Sequence, residues 1–259
     1  MKRERASLPL AIVLVSLIAS AKPPLLATYK FQAHGNADAC HALGLELFRV
    51  GRYEEAAQAF ASAVSVAPNW AEAHNDLGLA YHRLNRHAEA AECFKGAVKL
   101  SPHYALAYYN LGGAYREMQQ YDEAVSAYRM AIRILPTYAA AYNNLGTTLD
   151  VAGFPKAAAR AYGKAAQLQP GMGEAYENVG LVHYRLGHMQ KALTAFRQAV
   201  RLMPESDEAH FNLGMTCLKL GNRSQALVEY MVIKDRNSQL AERLRRTINR
   251  DKLVDVRDR

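Results

Sequence analysis

A 34-residue pattern recurs six times between Ala37 and Leu240 without insertion or deletion, so whatever one unit folds into, the chain must repeat at constant pitch. Laid out as 37–70, 71–104, 105–138, 139–172, 173–206 and 207–240, the units share glycine at their eighth place: Gly44, Gly78, Gly112, Gly146, Gly180 and Gly214. Glycine makes up about 7% of an average chain, so six such hits have a chance probability on the order of 10⁻⁷. The twentieth place is always alanine (Ala56, Ala90, Ala124, Ala158, Ala192, Ala226) and the twenty-fourth always aromatic (Phe60, Phe94, Tyr128, Tyr162, Phe196, Tyr230). Proline stands thirty-second in five units (Pro68, Pro102, Pro136, Pro170, Pro204), and Ser238 replaces it in the sixth.

Within a unit, apolar residues recur every three or four positions, and the register then restarts, which predicts two amphipathic helices joined by a tight turn. In the third unit Tyr108, Leu111 and Tyr115 mark one stripe and Val125, Tyr128, Ile132 and Leu135 the next. A glycine at the eighth place lets a neighbouring helix approach, a small alanine at the twentieth receives it, and the aromatic fills the angle between them. Gly51, Gly153, Gly187 and Gly221 supply the left-handed backbone that ends a helix, and Asn85 is the next most suitable residue for it. Gln119 departs from that rule. The terminal proline lacks a donor and clashes with the preceding turn, so it stops the second helix.

These residues resemble the signature of the tetratricopeptide repeat, over roughly four fifths of the chain. The departures are Cys40, His74 and His210 at the usual aromatic fourth place, Leu47, Leu149, His183 and Cys217 at the usual Tyr of the eleventh, and the missing last proline. The resemblance implies an all-α fold, a right-handed superhelical solenoid of helix-turn-helix repeats in which each hairpin touches mainly its neighbours. Leu240, Leu244 and Ile248 continue an apolar stripe between Glu242, Arg243, Arg245 and Arg246, which predicts a capping helix over 239–250, overlapping the end of the sixth unit, and a frayed polar tail over 251–259.

Lys2, Arg3 and Arg5 precede a 12-residue apolar run from Leu8 to Ala19 and then Ala19-Ser20-Ala21, which together describe a signal peptide over 1–21 cleaved after Ala21. A linker over 22–36 follows. The run is short for a bilayer span, which needs about 20 apolar residues, and Pro9 and Lys22-Pro23-Pro24 interrupt it. The alternative is an uncleaved membrane anchor that includes Leu25 and Leu26. Either way the repeats are expected outside the cytoplasm, exported or held peripherally to a membrane through the N-terminus. Cys40, Cys93 and Cys217 occupy packing places and read as buried thiols.

The formal charge of +8 becomes +6 without the leader, because the leader carries three basic residues and one acidic. Residues 234–259 hold nine basic and five acidic residues, so most of that excess lies at the C-terminus. No aromatic side chain accompanies these charges and their signs alternate, the pattern of a solvated helix and not of a nucleic-acid surface.

Nothing in the pattern points to an active site, a cofactor or a metal. His34 and His41 flank Cys40 without a third ligand at zinc-site spacing, and His82 with His87, like His183 with His188, reads as surface histidine near a helix end. Neither a phosphate loop nor a nucleophile elbow is present, and there is no strand to carry one.

Binding is better supported. The resemblance implies that places 2, 5, 6, 9, 12 and 13 of each first helix line a concave face. The sixth place reads Ala42, Asp76, Asn110, Asn144, Asn178 and Asn212. An asparagine amide complements a peptide group, packed helices lie about 8–10 Å apart, and an extended chain advances about 3.3 Å per residue. One asparagine would thus meet a ligand backbone roughly every third residue, unless these amides bond within the fold instead. Asn75, Tyr109, Asn143, Glu177 and Phe211 at the fifth place, and Arg83, Arg116, Arg185 and Lys219 near the helix exits, would set specificity. Acids at the second place and bases at the far end also suit the helix dipole. The carboxylate clamp of chaperone-binding relatives needs Lys at the fifth place and Asn at the ninth, and His41, Asn75 and Tyr109 with Leu45, Leu79 and Gly113 do not supply it. The expected function is a non-enzymatic adaptor that binds a protein or extended peptide and assists assembly of an envelope or secreted complex. The alternatives are a cytosolic scaffold and an accessory subunit of a glycosyltransferase or hydrolase system.

Overall fold

The computed structural model describes residues 35–257, with side chains to Arg250. The leader expected over 1–21 and nearly all of the linker lie outside the described residues. Among the described residues every regular element is a helix, and the fold is the all-α hairpin array expected. The chain divides into two compact units after Pro136. The first contains α1 (Ala37–Arg49), α2 (Tyr53–Val66), α3 (Ala71–Arg83), α4 (His87–Leu100), α5 (Ala105–Glu117) and α6 (Tyr121–Ile134). The second contains α7 (Ala139–Val151), α8 (Pro155–Leu168), α9 (Gly173–Arg185), α10 (Met189–Leu202), α11 (Asp207–Lys219), α12 (Arg223–Ile233) and α13 (Ser238–Arg257).

The turn inside each hairpin is the same device six times. The fifteenth residue takes a positive φ, at Gly51, Asn85, Gln119, Gly153, Gly187 and Gly221. The next N–H then reaches back five residues to a helix carbonyl, as Arg52 N does to Leu47 O at 2.9 Å and Phe154 N to Leu149 O at 2.8 Å. Gln119 adopts φ 60° although it is neither Gly nor Asn. Its Gln120 N to Tyr115 O bond, 2.9 Å, closes the same turn, so the hairpin imposes on Gln119 a conformation its own side chain disfavours.

Each eighth-place glycine faces the aromatic ring of its own hairpin. A Cβ added at Gly44, Gly78, Gly112, Gly146 or Gly180 would lie 2.5–2.8 Å from a ring carbon of Phe60, Phe94, Tyr128, Tyr162 or Phe196, closer than carbon atoms pack. Those rings are buried, and every twentieth-place alanine is fully so. The second helix ends before the proline in each of the first five repeats.

The sixth repeat keeps the sequence pattern but not the packing. A Cβ at Gly214 would meet Leu244 of α13 at 2.8 Å and Glu229 Cβ at 3.3 Å, while Tyr230 is only half-buried. The cause is visible at the fourth place, where His210 stands. His210 Nδ1 lies 2.6 Å from Glu229 Oε2 and its Nε2 3.1 Å from Pro204 O. Gln225 Nε2 donates to the other Glu229 oxygen at 2.6 Å. A buried carboxylate needs such partners, and α12 accordingly buries Ala226, Glu229 and Ile233. α12 is 11 residues long where its counterparts have 14. Asn237 then caps the next helix, its Oδ1 accepting from Leu240 N at 3.1 Å. α13 runs from Ser238 through Arg257, so helix continues past residue 250, where the sequence placed a frayed tail. Leu244 and Ile248 of α13 are fully buried against the last hairpin.

Candidate binding face

In each compact unit the first helices of successive repeats lie side by side, and their fifth and sixth places meet. Asn110 donates from Nδ2 to Asn75 Oδ1 at 2.9 Å, Asn178 to Asn143 Oδ1 at 3.2 Å, and Asn212 to Glu177 Oε1 at 3.2 Å. His41 Nε2 and Asp76 Oδ2, 2.8 Å apart, occupy the same two places one repeat earlier. Asn75 Nδ2 also donates to Asp76 Oδ1 at 3.1 Å. The first unit therefore holds a continuous relay from His41 through Asp76 and Asn75 to Asn110. Its partners fix which way each amide points, because Asn75 must accept from one side and donate to the other.

The step of 35 residues is one repeat plus one position. It places a sixth-place side chain against the fifth-place one of the preceding repeat, so the expected ladder is part of the fold. Only half of each amide is so used. Asn110, Asn178 and Asn212 make no further side-chain hydrogen bond among the described residues, which leaves each an Oδ1 and one N–H. Asn144 is half-buried and its backbone carbonyl accepts from Thr148 Oγ1 at 2.8 Å.

Three of the four cations expected near the helix exits are already engaged. Arg83 Nη2 donates to Tyr53 Oη at 2.8 Å, and its guanidinium sits 5.0 Å from the Tyr53 ring centre and 5.7 Å from that of Phe48. Arg116 bonds Glu117 Oε1 at 2.8 Å, and Arg185 pairs with Asp150. The Tyr109 ring packs 5.8 Å from that of Tyr128. Burial, with Glu208 and Glu174 nearby, pushes the Glu177 carboxyl above its ordinary range despite the bond from Asn212.

The ninth place, assigned to the concave face from the sequence, was not counted among the candidate contacts. Leu45 and Leu181 are exposed there, and Leu106 at a second place is exposed as well. The signal was present, since a large apolar residue at a place that does not enter the core must face outward. Two clefts lie elsewhere. One of 580 Å³ is lined by Leu77, Tyr81, Glu89, Cys93, Lys95 and Tyr115 among others, and one of 410 Å³ by Tyr176, His183, Lys191 and Gln198 with their neighbours. Neither includes a fifth-, sixth- or ninth-place residue. Burial pushes the Cys93 thiol up to about 11, which keeps it protonated and inert. Cys40 and Cys217 are buried. His82 and His87 face each other through Nδ1 at 3.2 Å, as His183 and His188 do at 3.3 Å. Among the described residues no group of three His, Cys, Asp or Glu is placed to hold a metal, and no helix is long and apolar enough to cross a membrane.

The architecture has close parallels among solved structures. The crystal structure of MamA is 29% identical, covering 63% of this chain and 95% of that one with a TM-score of 0.60. That of YrrB, described as a tetratricopeptide protein with an unusual peptide-binding site, is 25% identical, covering 73% and 99% with a TM-score of 0.62. The pilF protein of Pseudomonas aeruginosa, 19% identical over 81% and 96% with a TM-score of 0.70, shares the fold. No curated protein sequence matches the chain. Profiles of the tetratricopeptide repeat match residues 41–105, 143–206 and 181–231, and 105–138. With matches that extend over most of its length and the glycine-to-ring packing in five hairpins, the chain belongs to the tetratricopeptide repeat family.

Proposed function

We propose that this protein is a non-enzymatic scaffold that holds an extended peptide or a protein segment along its first helices. The observation that carries the reading is the set of sixth-place amides Asn110, Asn178 and Asn212, each fixed by one bond to the previous repeat and retaining an acceptor and a donor. Such groups match the main chain of a ligand and give modest affinity with little sequence preference. Exposed Leu181, on the helix of Asn178, and Leu45, on the first helix of the first repeat, would add apolar contacts. The peptide-binding site of YrrB supports the same use of this fold. The basic, apolar and small-residue start of the sequence supports export, and with it a role in assembling an envelope or secreted complex.

A screen of the full chain against an extended-peptide array, followed by titration of the hits, tests the proposal. Leu45→Asp with Leu181→Asp should weaken every hit about tenfold or more, since each removes an apolar contact and buries a charge. Circular dichroism should remain that of the wild type. Peptides bound equally well by the variant would end the reading of this face.

A further inference from the structure

The outer face of α12 is apolar without a structural reason. Leu227, Val228, Met231 and Val232 form one stripe at helical spacing, and their exposures are 42%, 55%, 55% and 36%. In the first five repeats the corresponding twenty-second place is polar throughout (Gln58, Glu92, Ser126, Arg160, Thr194), and the twenty-fifth and twenty-sixth carry polar or small residues apart from Met130. The sixth repeat alone fills all three with Val228, Met231 and Val232. The core does not require them. Ala226, Glu229 and Ile233 are the residues α12 buries, and α13 closes the last hairpin with Leu244 and Ile248.

The neighbouring helix supplies an excess of basic side chains. Arg245, Arg246 and Arg250 are exposed on α13, on one stripe of that helix. Tyr230 of α12 packs against the cluster that contains Leu244 and Ile248 of α13, so the two helices are in contact. From Lys234 to Arg250 there are six basic residues and two acidic. Glu242, one of the two, bonds Arg245 and Arg246 at 2.8 Å and so offsets only part of the excess. An apolar stripe of medium-sized side chains beside a basic row is the arrangement that seats a helix at a lipid–water boundary. The aliphatic groups enter the acyl region while the guanidinium groups meet headgroup phosphates.

We propose that the last hairpin and its cap form a membrane-surface patch, in which Leu227, Val228, Met231 and Val232 of α12 insert shallowly into an anionic leaflet and Arg245, Arg246 and Arg250 of α13 bind its headgroups. The patch is separate from the row of sixth-place amides, so either reading stands if the other fails. It is also separate from the apolar run at residues 8–19.

The test is co-sedimentation of the full chain with vesicles of phosphatidylcholine alone and of phosphatidylcholine with one third phosphatidylglycerol. The wild type should bind the anionic vesicles more tightly, and 0.5 M salt should reduce the difference. Val228→Asp/Met231→Asp and, separately, Arg245→Glu/Arg246→Glu should each lower anionic-vesicle binding on the order of tenfold, because each basic group near such a surface contributes about 1 kcal/mol and each inserted aliphatic group a similar amount. The substituted side chains are exposed, so the circular dichroism should not change, and the melting temperature should fall only slightly, through the lost Glu242 pairs of the arginine variant. Equal binding by wild type and both variants would overturn the proposal, attributing vesicle binding to another segment. So would an absence of preference for the anionic vesicles. A change from dimer to monomer in light scattering of Val228→Asp/Met231→Asp would overturn it too, by assigning the stripe to a second copy of the chain.

Discussion

Asn178 reaches back 35 residues to Asn143, its Nδ2 lying 3.2 Å from the Oδ1 of that residue, and the bond ties two consecutive repeats together through the helices that carry the candidate binding face. The polar row is therefore a stacking element and a candidate recognition element at once. A substitution there must be read for both effects.

Asn75 is the most demanding position of the row, since it is almost fully buried, accepts from Asn110 and donates to Asp76. Asn75→Ala should destabilise the first compact unit by about 1–3 kcal/mol, the cost of leaving buried polar partners unsatisfied. Urea titration followed by circular dichroism reads the loss. An unchanged midpoint would mean that water replaces the amide without penalty.

The glycines are not equivalent. Gly112→Ala places a Cβ 2.8 Å from the Tyr128 ring and should cost about 1–3 kcal/mol by overpacking. Gly163 lies inside α8 with nothing within 4 Å of an added Cβ. Gly163→Ala should therefore raise stability by about 0.5–1 kcal/mol through helix propensity alone. Melting curves of the two variants should shift in opposite directions.

In the last hairpin, Glu229→Ala leaves His210 facing a void in place of its carboxylate partner at 2.6 Å. The loss should be about 3–5 kcal/mol, as for other broken buried pairs, while a double replacement of His210 and Glu229 by Leu should recover most of it. A double variant no more stable than the single one would show that the pair has a packing role that leucine cannot fill.

Burial, then repulsion from His87, holds His82 below its ordinary pKa of 6.5, and burial with Lys191 and His188 does the same for His183. As pH falls through that range the unfolded chain takes up these protons before the folded one, so stability is full above the unfolded value and is lost as pH drops toward the folded value. The melting temperature should fall as pH drops below the ordinary histidine value of 6.5. His82→Gln with His183→Gln should flatten that slope; an identical slope would assign it to other groups.

The periodicity alone was enough to predict the hairpins, because the glycine, alanine and aromatic places interact within a single repeat. What escaped it depended on side chains from different repeats. Tyr230 occupies the aromatic place in register, yet α12 buries Glu229 instead, since His210 one helix earlier offers a partner for a carboxylate. Leu244 then takes the position next to Gly214 that a ring fills in five other hairpins. Likewise, asparagine at the sixth place was readable as a ladder, but its bond to the fifth place depends on the lateral offset between neighbouring helices. Arg83 was legible as a cation and not as one stacked on Phe48 and Tyr53.

The relay through His41, Asp76, Asn75 and Asn110 has an entropic corollary for binding. Amides already locked in orientation by a neighbour surrender little rotamer freedom on association, so a ligand docking against them loses less entropy than one that must first order a mobile surface. Relaxing the lock at Asn75 should then raise that ordering cost even where every contacting side chain is left intact.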